Sequence, residues 1–140
     1  MSKRSVVGVA LLLSACADLA ANVPIALQGA LLPTTAANVS GSVAAASAGP
    51  STEAGIDVTG APNTVYGWQV NQGTCASPGA MLGGLGNYPA VETDGAGAGR
   101  LQRTFIGAQL RRGARYHAVI VQESDRSVVL ACGNLEAPSF

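Results

Sequence analysis

The stretch Val65-Tyr66-Gly67-Trp68-Gln69-Val70-Asn71 alternates along its whole length. Tyr66, Trp68 and Val70 fall on one parity, and Gly67, Gln69 and Asn71 on the other. A period of two, carried by aromatic and β-branched residues, predicts a strand with one apolar face. Trp68 belongs to that apolar parity, so core packing is its expected role.

The same signal repeats on both sides. Upstream, residues 38–44 place Val39, Gly41 and Val43 on one parity, and residues 54–59 place Ile56 and Val58 opposite Asp57 and Thr59. Turns rich in Gly, Pro and Asn separate them at residues 48–51 and 60–63. Downstream comes a long loop, residues 73–86, rich in Gly, Ser and Pro. A short extended piece follows at 88–93, then a Gly-rich turn at 94–99. Further strands are expected at 101–110, 116–123 and 128–132. No stretch after residue 35 carries a helical period. Short strands at this spacing predict an all-β antiparallel sandwich or barrel.

The N-terminus reads differently. Lys3 and Arg4 precede an apolar run of Val6, Val7, Val9, Ala10, Leu11, Leu12 and Leu13, and then Leu13-Ser14-Ala15-Cys16. The run is too short to span a bilayer as a mature helix. A basic start, a short apolar core and small residues fit a signal peptide, residues 1–15. Leu-Ser-Ala-Cys resembles the bacterial lipobox, whose cysteine receives a diacylglyceryl group before cleavage. That resemblance implies acylation of Cys16, palmitate among the acyl chains, and a stable anchor, because two chains hold where one does not. Ala17 rather than Asp after the cysteine resembles the outer-membrane sorting of enteric bacteria. The expected location is the cell envelope, lipid-anchored, facing the periplasm or the cell surface. Residues 16–35 are Ala-rich and are expected to be a tether with room for one short strand at 24–28. Residues 36–140 are then the folded domain.

Loss of Lys3 and Arg4 with the leader leaves six arginines, eight carboxylates and no lysine, a net charge of −2. A nucleic-acid partner would want a basic excess and is excluded. The length suits one domain. With Cys16 acylated, Cys75 and Cys132 remain, an even pair outside the cytoplasm. A disulfide is the expected state there, and two buried free thiols the alternative.

Three stretches, taken in order, resemble the copper,zinc superoxide dismutases. Tyr66-Gly67-Trp68-Gln69-Val70-Asn71 resembles the segment His-Gly-Phe-His-Val-His. Met81-Leu82-Gly83-Gly84-Leu85-Gly86-Asn87 resembles His-x-Gly-Asp-Leu-Gly-Asn. Ala118 to Glu123, then Leu130-Ala131-Cys132-Gly133, resembles Val-Val-His-Glu followed by Arg-Leu-Ala-Cys-Gly. The resemblance covers about residues 39–135. It implies a Greek-key β-sandwich or barrel of immunoglobulin-like architecture, with Cys75 and Cys132 joined. It does not carry the chemistry. Gln69, Asn71 and Gln122 stand at copper-ligand positions, Met81 and Gly84 at zinc positions, and Val129 where the family has an anion-guiding arginine. The resemblance also brings Gln69, Asn71 and Gln122 together on the outer face of the sheet.

Donor counting reaches the same point independently. Copper catalysis needs several imidazole or thiolate donors around one ion, and zinc needs three or four ligands from Cys, His and carboxylates. The chain has one histidine, His117. No metal, no cofactor and no catalytic residue is therefore expected. The expected function is a non-catalytic envelope lipoprotein domain, a structural or binding module, held by the membrane and open to an envelope protein partner. Two other classes stay open: a superoxide dismutase with a rebuilt site, and a ligand- or metal-delivery module using the Gln69/Asn71/Gln122 face or the arginines.

Other motifs read blandly. His117 has no nucleophile near it in sequence and is expected to be structural or solvent-facing. Residues 94–99 lack the Lys-Ser/Thr of a phosphate loop and are expected to turn a hairpin. Arg111, Arg112 and Arg115 surround a Gly turn, with Arg100 and Arg103 one strand earlier, the pattern of a solvated sheet end that also suits anionic headgroups or a partner.

Overall fold

Nine antiparallel strands build the domain in a computed structural model that describes residues 24–34 and 37–138. They are β1 (Ile25–Pro33), β2 (Ser40–Ser47), β3 (Thr52–Thr59), β4 (Val65–Gly73), β5 (Pro78–Met81), β6 (Val91–Glu92), β7 (Ala98–Ile106), β8 (Tyr116–Gln122) and β9 (Val129–Leu135). The sheet runs β5-β4-β8-β9-β1-β2-β3-β7, and β6 pairs with β4.

That order curls the sheet into a barrel. β7 ends the path on one side, and β6 joins it through the turn at 93–97 while bonding β4 on the other side, Val65 opposite Glu92 and Tyr66 opposite Val91. The links β3 to β4 and β7 to β8 pass over intervening strands, which is Greek-key connectivity. The all-β sandwich or barrel expected from the alternation is the observed fold.

Alternation decides what is buried. On β4, Tyr66, Trp68 and Val70 point inward and are buried. They meet Val43 and Ala45 of β2, Ala54, Ile56 and Val58 of β3, Ala118 and Ile120 of β8, and Ala131 of β9. Trp68 is fully buried. Its indole Nε1 donates to the Pro89 carbonyl at 2.8 Å, and its ring meets Tyr88 edge-on at a centroid distance of 5.1 Å. The Tyr88 hydroxyl donates to the Leu82 carbonyl, and burial pushes its pKa up to about 12. The 82–89 segment is thereby fastened under the barrel.

Two expectations are corrected. The tether was expected to run through residue 35, with only a short strand at 24–28. Instead β1 takes nine residues, pairs with β2 from Ile25 opposite Ser47 to Leu31 opposite Gly41, and buries Leu31 completely. The folded domain therefore begins by Ile25, not at residue 36. The cause is a period-two pattern hidden in apolar composition: Ile25, Leu27, Gly29 and Leu31 face in, while Ala26, Gln28 and Ala30 face out. Residues 73–86 are likewise not all loop, since β5 bonds to β4 there and residues 85–87 form a 3-10 turn. The leader, Cys16 and the first part of the expected tether lie outside the described residues.

The turn at 94–97 is a hairpin turn, as expected. Asp94 accepts from the backbone N–H groups of Ala96 and Ala98, which hold its carboxyl below the usual range, and Gly97 takes a φ of 84°.

Candidate functional site

Antiparallel partners share a face, so the register of β4 on β8 determines which side chains can meet. Gly67 pairs with Val121, Gln69 with Val119 and Asn71 with His117. These six look outward from the barrel. Tyr66 pairs with Gln122, and Tyr66 faces the core. Gln122 therefore belongs to the face opposite Gln69 and Asn71.

This corrects the expectation that Gln69, Asn71 and Gln122 converge. Gln69 and Asn71 do meet: Gln69 Nε2 donates to Asn71 Oδ1 at 2.9 Å. Gln122 is exposed at the far end of β8, beside a shallow cleft with Val39, Thr64, Val65 and Glu123. Period two makes this all-or-none, because an offset of one residue moves a side chain across the sheet. The β8 residue on the Gln69 face at that end is Val121.

Of the other implied metal positions, Met81 borders the pair, while Gly84 and Val129 stand apart from it. Met81 lies opposite Asn71 in the β4–β5 register and is half-buried against the core. Gly84 is exposed, and its carbonyl accepts from the backbone and side-chain amides of Asn87. Val129 is exposed opposite Val121, and its carbonyl accepts from Thr34.

His117 joins instead, a participant the sequence reading set aside. Asn71 Nδ2 lies 3.3 Å from His117 Nε2. Because Asn71 Oδ1 already accepts from Gln69, its Nδ2 is a donor, and Nε2 must be the acceptor. The ring is then neutral, with its proton on Nδ1. His117 is buried, and Nδ1 makes no hydrogen bond of good geometry among the described residues. Desolvation lowers its pKa, and the backbone at Gly73 and Gln72 offsets this only in part.

The linkage has a definite sign. A buried imidazole that resists protonation binds fewer protons folded than unfolded, so stability is intact above the ordinary pKa near 6.5 and falls as pH drops below it. We expect Tm to fall between pH 7 and pH 5, and His117→Gln to flatten that part of the profile. An unchanged slope in the variant would show that other groups carry the acid sensitivity.

Two more residues on this side escaped the sequence reading. The Arg126 guanidinium reaches back from the β8–β9 turn over Gly67 and Val121, where any Cβ at position 67 would collide with it. Asn134, opposite His117, accepts from the Cys75 backbone N–H at 2.9 Å. Both are long-range contacts that no local pattern signals.

Cys75 and Cys132 form a disulfide. It ties the segment after β4 to the middle of β9, where Cys132 lies between Val119 and Leu32. The pairing expected from the even count is the observed one.

The donor set does not fit copper or zinc. The outer cluster offers two neutral amides and one imidazole whose Nε2 is engaged, and the nearby sulfurs are spent on each other. Among the described residues no three His, Cys, Asp or Glu side chains gather in a way that could hold a metal ion. What the cluster can do is order the outer face of β4 and β8 by a chain of hydrogen bonds.

Compared with known proteins, the chain matches no protein-family model and no curated sequence.

Proposed function

We propose that this protein is a membrane-anchored envelope lipoprotein whose superoxide dismutase-like β-sandwich is non-catalytic and serves as a structural or binding module. The observation that carries the reading is the Gln69–Asn71–His117 chain. At positions where the resemblance implies copper ligands, the side chains are bonded to one another through neutral amides. Such groups hold a redox ion poorly. The order of the matching stretches and the bond between Cys75 and Cys132 support the superoxide dismutase-like part. Gln122, on the opposite face, departs from the arrangement the resemblance implies and counts against the resemblance at that position. Lys3, Arg4, the apolar run and Leu13-Ser14-Ala15-Cys16 support the anchor.

The anchor is tested by expressing the full chain in bacteria with labelled palmitate. Label is expected on the wild type and not on Cys16→Ser, and the wild type should partition into detergent. Equal labelling of both proteins would remove Cys16 as the acylated residue. The silent site is tested by copper and zinc reconstitution of the same protein followed by dialysis against a chelator. Bound metal is expected to fall well below one ion per chain, with no superoxide turnover. One tightly held copper with turnover would establish the rebuilt enzyme instead.

A further inference from the structure

The arginines at 111, 112 and 115 stand at the end of the barrel where Ile25 opens β1. The register shows this directly. Ile25, the first residue of β1, pairs with Ser47 at the end of β2. Ser47 pairs with Thr52 at the start of β3, and Thr52 with Ile106 at the end of β7. The 107–115 loop starts there and returns to Tyr116, which opens β8 opposite Leu135 at the end of β9. All of these residues share one pole.

We propose that this pole is a docking surface for the phosphate headgroups of the membrane that holds Cys16, an inference that rests on the lipid-anchor reading. Three observations carry it.

The first is reach. Cys16 and Ile25 are nine residues apart, which limits the span to about 30 Å fully extended and about 16 Å for a flexible coil. The tether first expected, ending at residue 35, would have left the domain free to stand off. A tether this short keeps the Ile25 pole within about 30 Å of the headgroups and nearest to them.

The second is charge. Between Gly107 and Tyr116 the loop holds three exposed arginines and no carboxylate. The nearest carboxylates in the register are Glu53, one residue in from the pole on β3, and Glu136, just past β9. The opposite pole carries Glu92, Asp94, Glu123 and Asp125 on its strand ends and turns, against Arg126, with Arg100 paired to Asp57 two residues further in. A chain that is net acidic once the leader is gone has thus placed half of its arginines at one end. An anionic surface attracts that end and repels the other.

The third is rigidity. Leu110 is buried, and its N–H donates to Ser47 Oγ at 2.9 Å. Ser47 Oγ bonds Thr52 Oγ1, which donates to the Ala108 carbonyl. Arg111 N–H donates to the Tyr116 hydroxyl, Gly73 N–H to the Arg115 carbonyl, and Ala114 N–H to the Arg111 carbonyl. Gly113, at a φ of 83°, closes that turn in the left-handed region. The arginines are therefore presented on a fixed turn. Phe105, 61% exposed and one residue from the pole, adds an apolar side chain at the same level.

The test uses the lipidated, processed protein from bacteria. It is reconstituted into vesicles of phosphatidylcholine alone or with phosphatidylglycerol, and amide hydrogen exchange is read by mass spectrometry. With phosphatidylglycerol, exchange across residues 107–116 should slow by about fivefold, the effect of one arginine near an anionic surface. Residues 92–97 and 123–128 should not change. High salt, or Arg111→Gln with Arg115→Gln, should abolish the protection without altering Tm. Equal exchange in the two lipids, with acylation of Cys16 confirmed in the same spectra, would overturn the docking pole and leave the anchor standing. Equal protection at both poles would also overturn it. Absence of the acyl group would overturn the anchor and the pole together.

Discussion

Reducing the Cys75–Cys132 bond is expected to lower stability by about 4 kcal/mol, the loop-closure entropy of a cross-link at this spacing. The two residues are 57 apart in sequence, so the open chain regains the freedom of a loop covering much of the domain. For a domain of this size the loss corresponds to a fall in Tm on the order of 15–20 °C. Cys75 is exposed, so reductant reaches the bond in the folded state. The native contact nearby is modest: Cys75 N–H gives one hydrogen bond to Asn134 Oδ1. The effect should therefore act mainly through the unfolded chain. Urea unfolding with and without reductant, and of Cys75→Ser with Cys132→Ser, gives the measurement. The reduced wild type and the double variant should agree. A shift of less than about 1 kcal/mol in both would mean that the unfolded chain is already compact around that link.

The residues that made the fold legible were those whose face was fixed by local alternation. Tyr66, Trp68 and Val70 could be placed inward from sequence because their neighbours Gly67, Gln69 and Asn71 are small or polar. β1 was harder. Its outward residues include Ala26 and Ala30, so inward and outward positions differ little in polarity, and the strand resembled an Ala-rich tether. β6 is two residues long and exists because it bridges β4 to the β7 turn, a closure that only the assembled barrel defines. The site was legible only in part for a related reason. Gln69 and Asn71 lie on one strand two residues apart, and period two puts them on one face. Gln122 and His117 lie on another strand, and their faces depend on a register no local signal states. The sequence reading grouped Gln122 with the amides and set His117 aside, and the register reverses both placements.

Replacing Trp68 with Ala is expected to destabilise the domain by about 3–5 kcal/mol, the range for removing a large aromatic from a packed core. Trp68 is fully buried, and its ring and that of Tyr88 pack edge to face, so truncation leaves a cavity and strips Tyr88 of its aromatic partner. Trp68→Phe separates two contributions. A phenyl ring keeps most of the packing but leaves the Pro89 carbonyl without the indole donor, a cost of about 1–2 kcal/mol. The expected order of urea midpoints is wild type, then Phe, then Ala. Equal losses for Phe and Ala would assign the whole effect to the hydrogen bond to Pro89. Trp68 sits on β4 below the 82–89 segment, and the disulfide holds the preceding part of the same chain excursion to β9. The two constraints act on different states, one on the packed core and one on the unfolded chain, so their losses should add. Their sum, about 7–9 kcal/mol, is comparable with the whole stability of an ordinary domain. In urea unfolding the loss for reduced Trp68→Ala should equal the sum of the losses measured for reduction and for Trp68→Ala separately, and a departure of more than about 1 kcal/mol would refute that additivity.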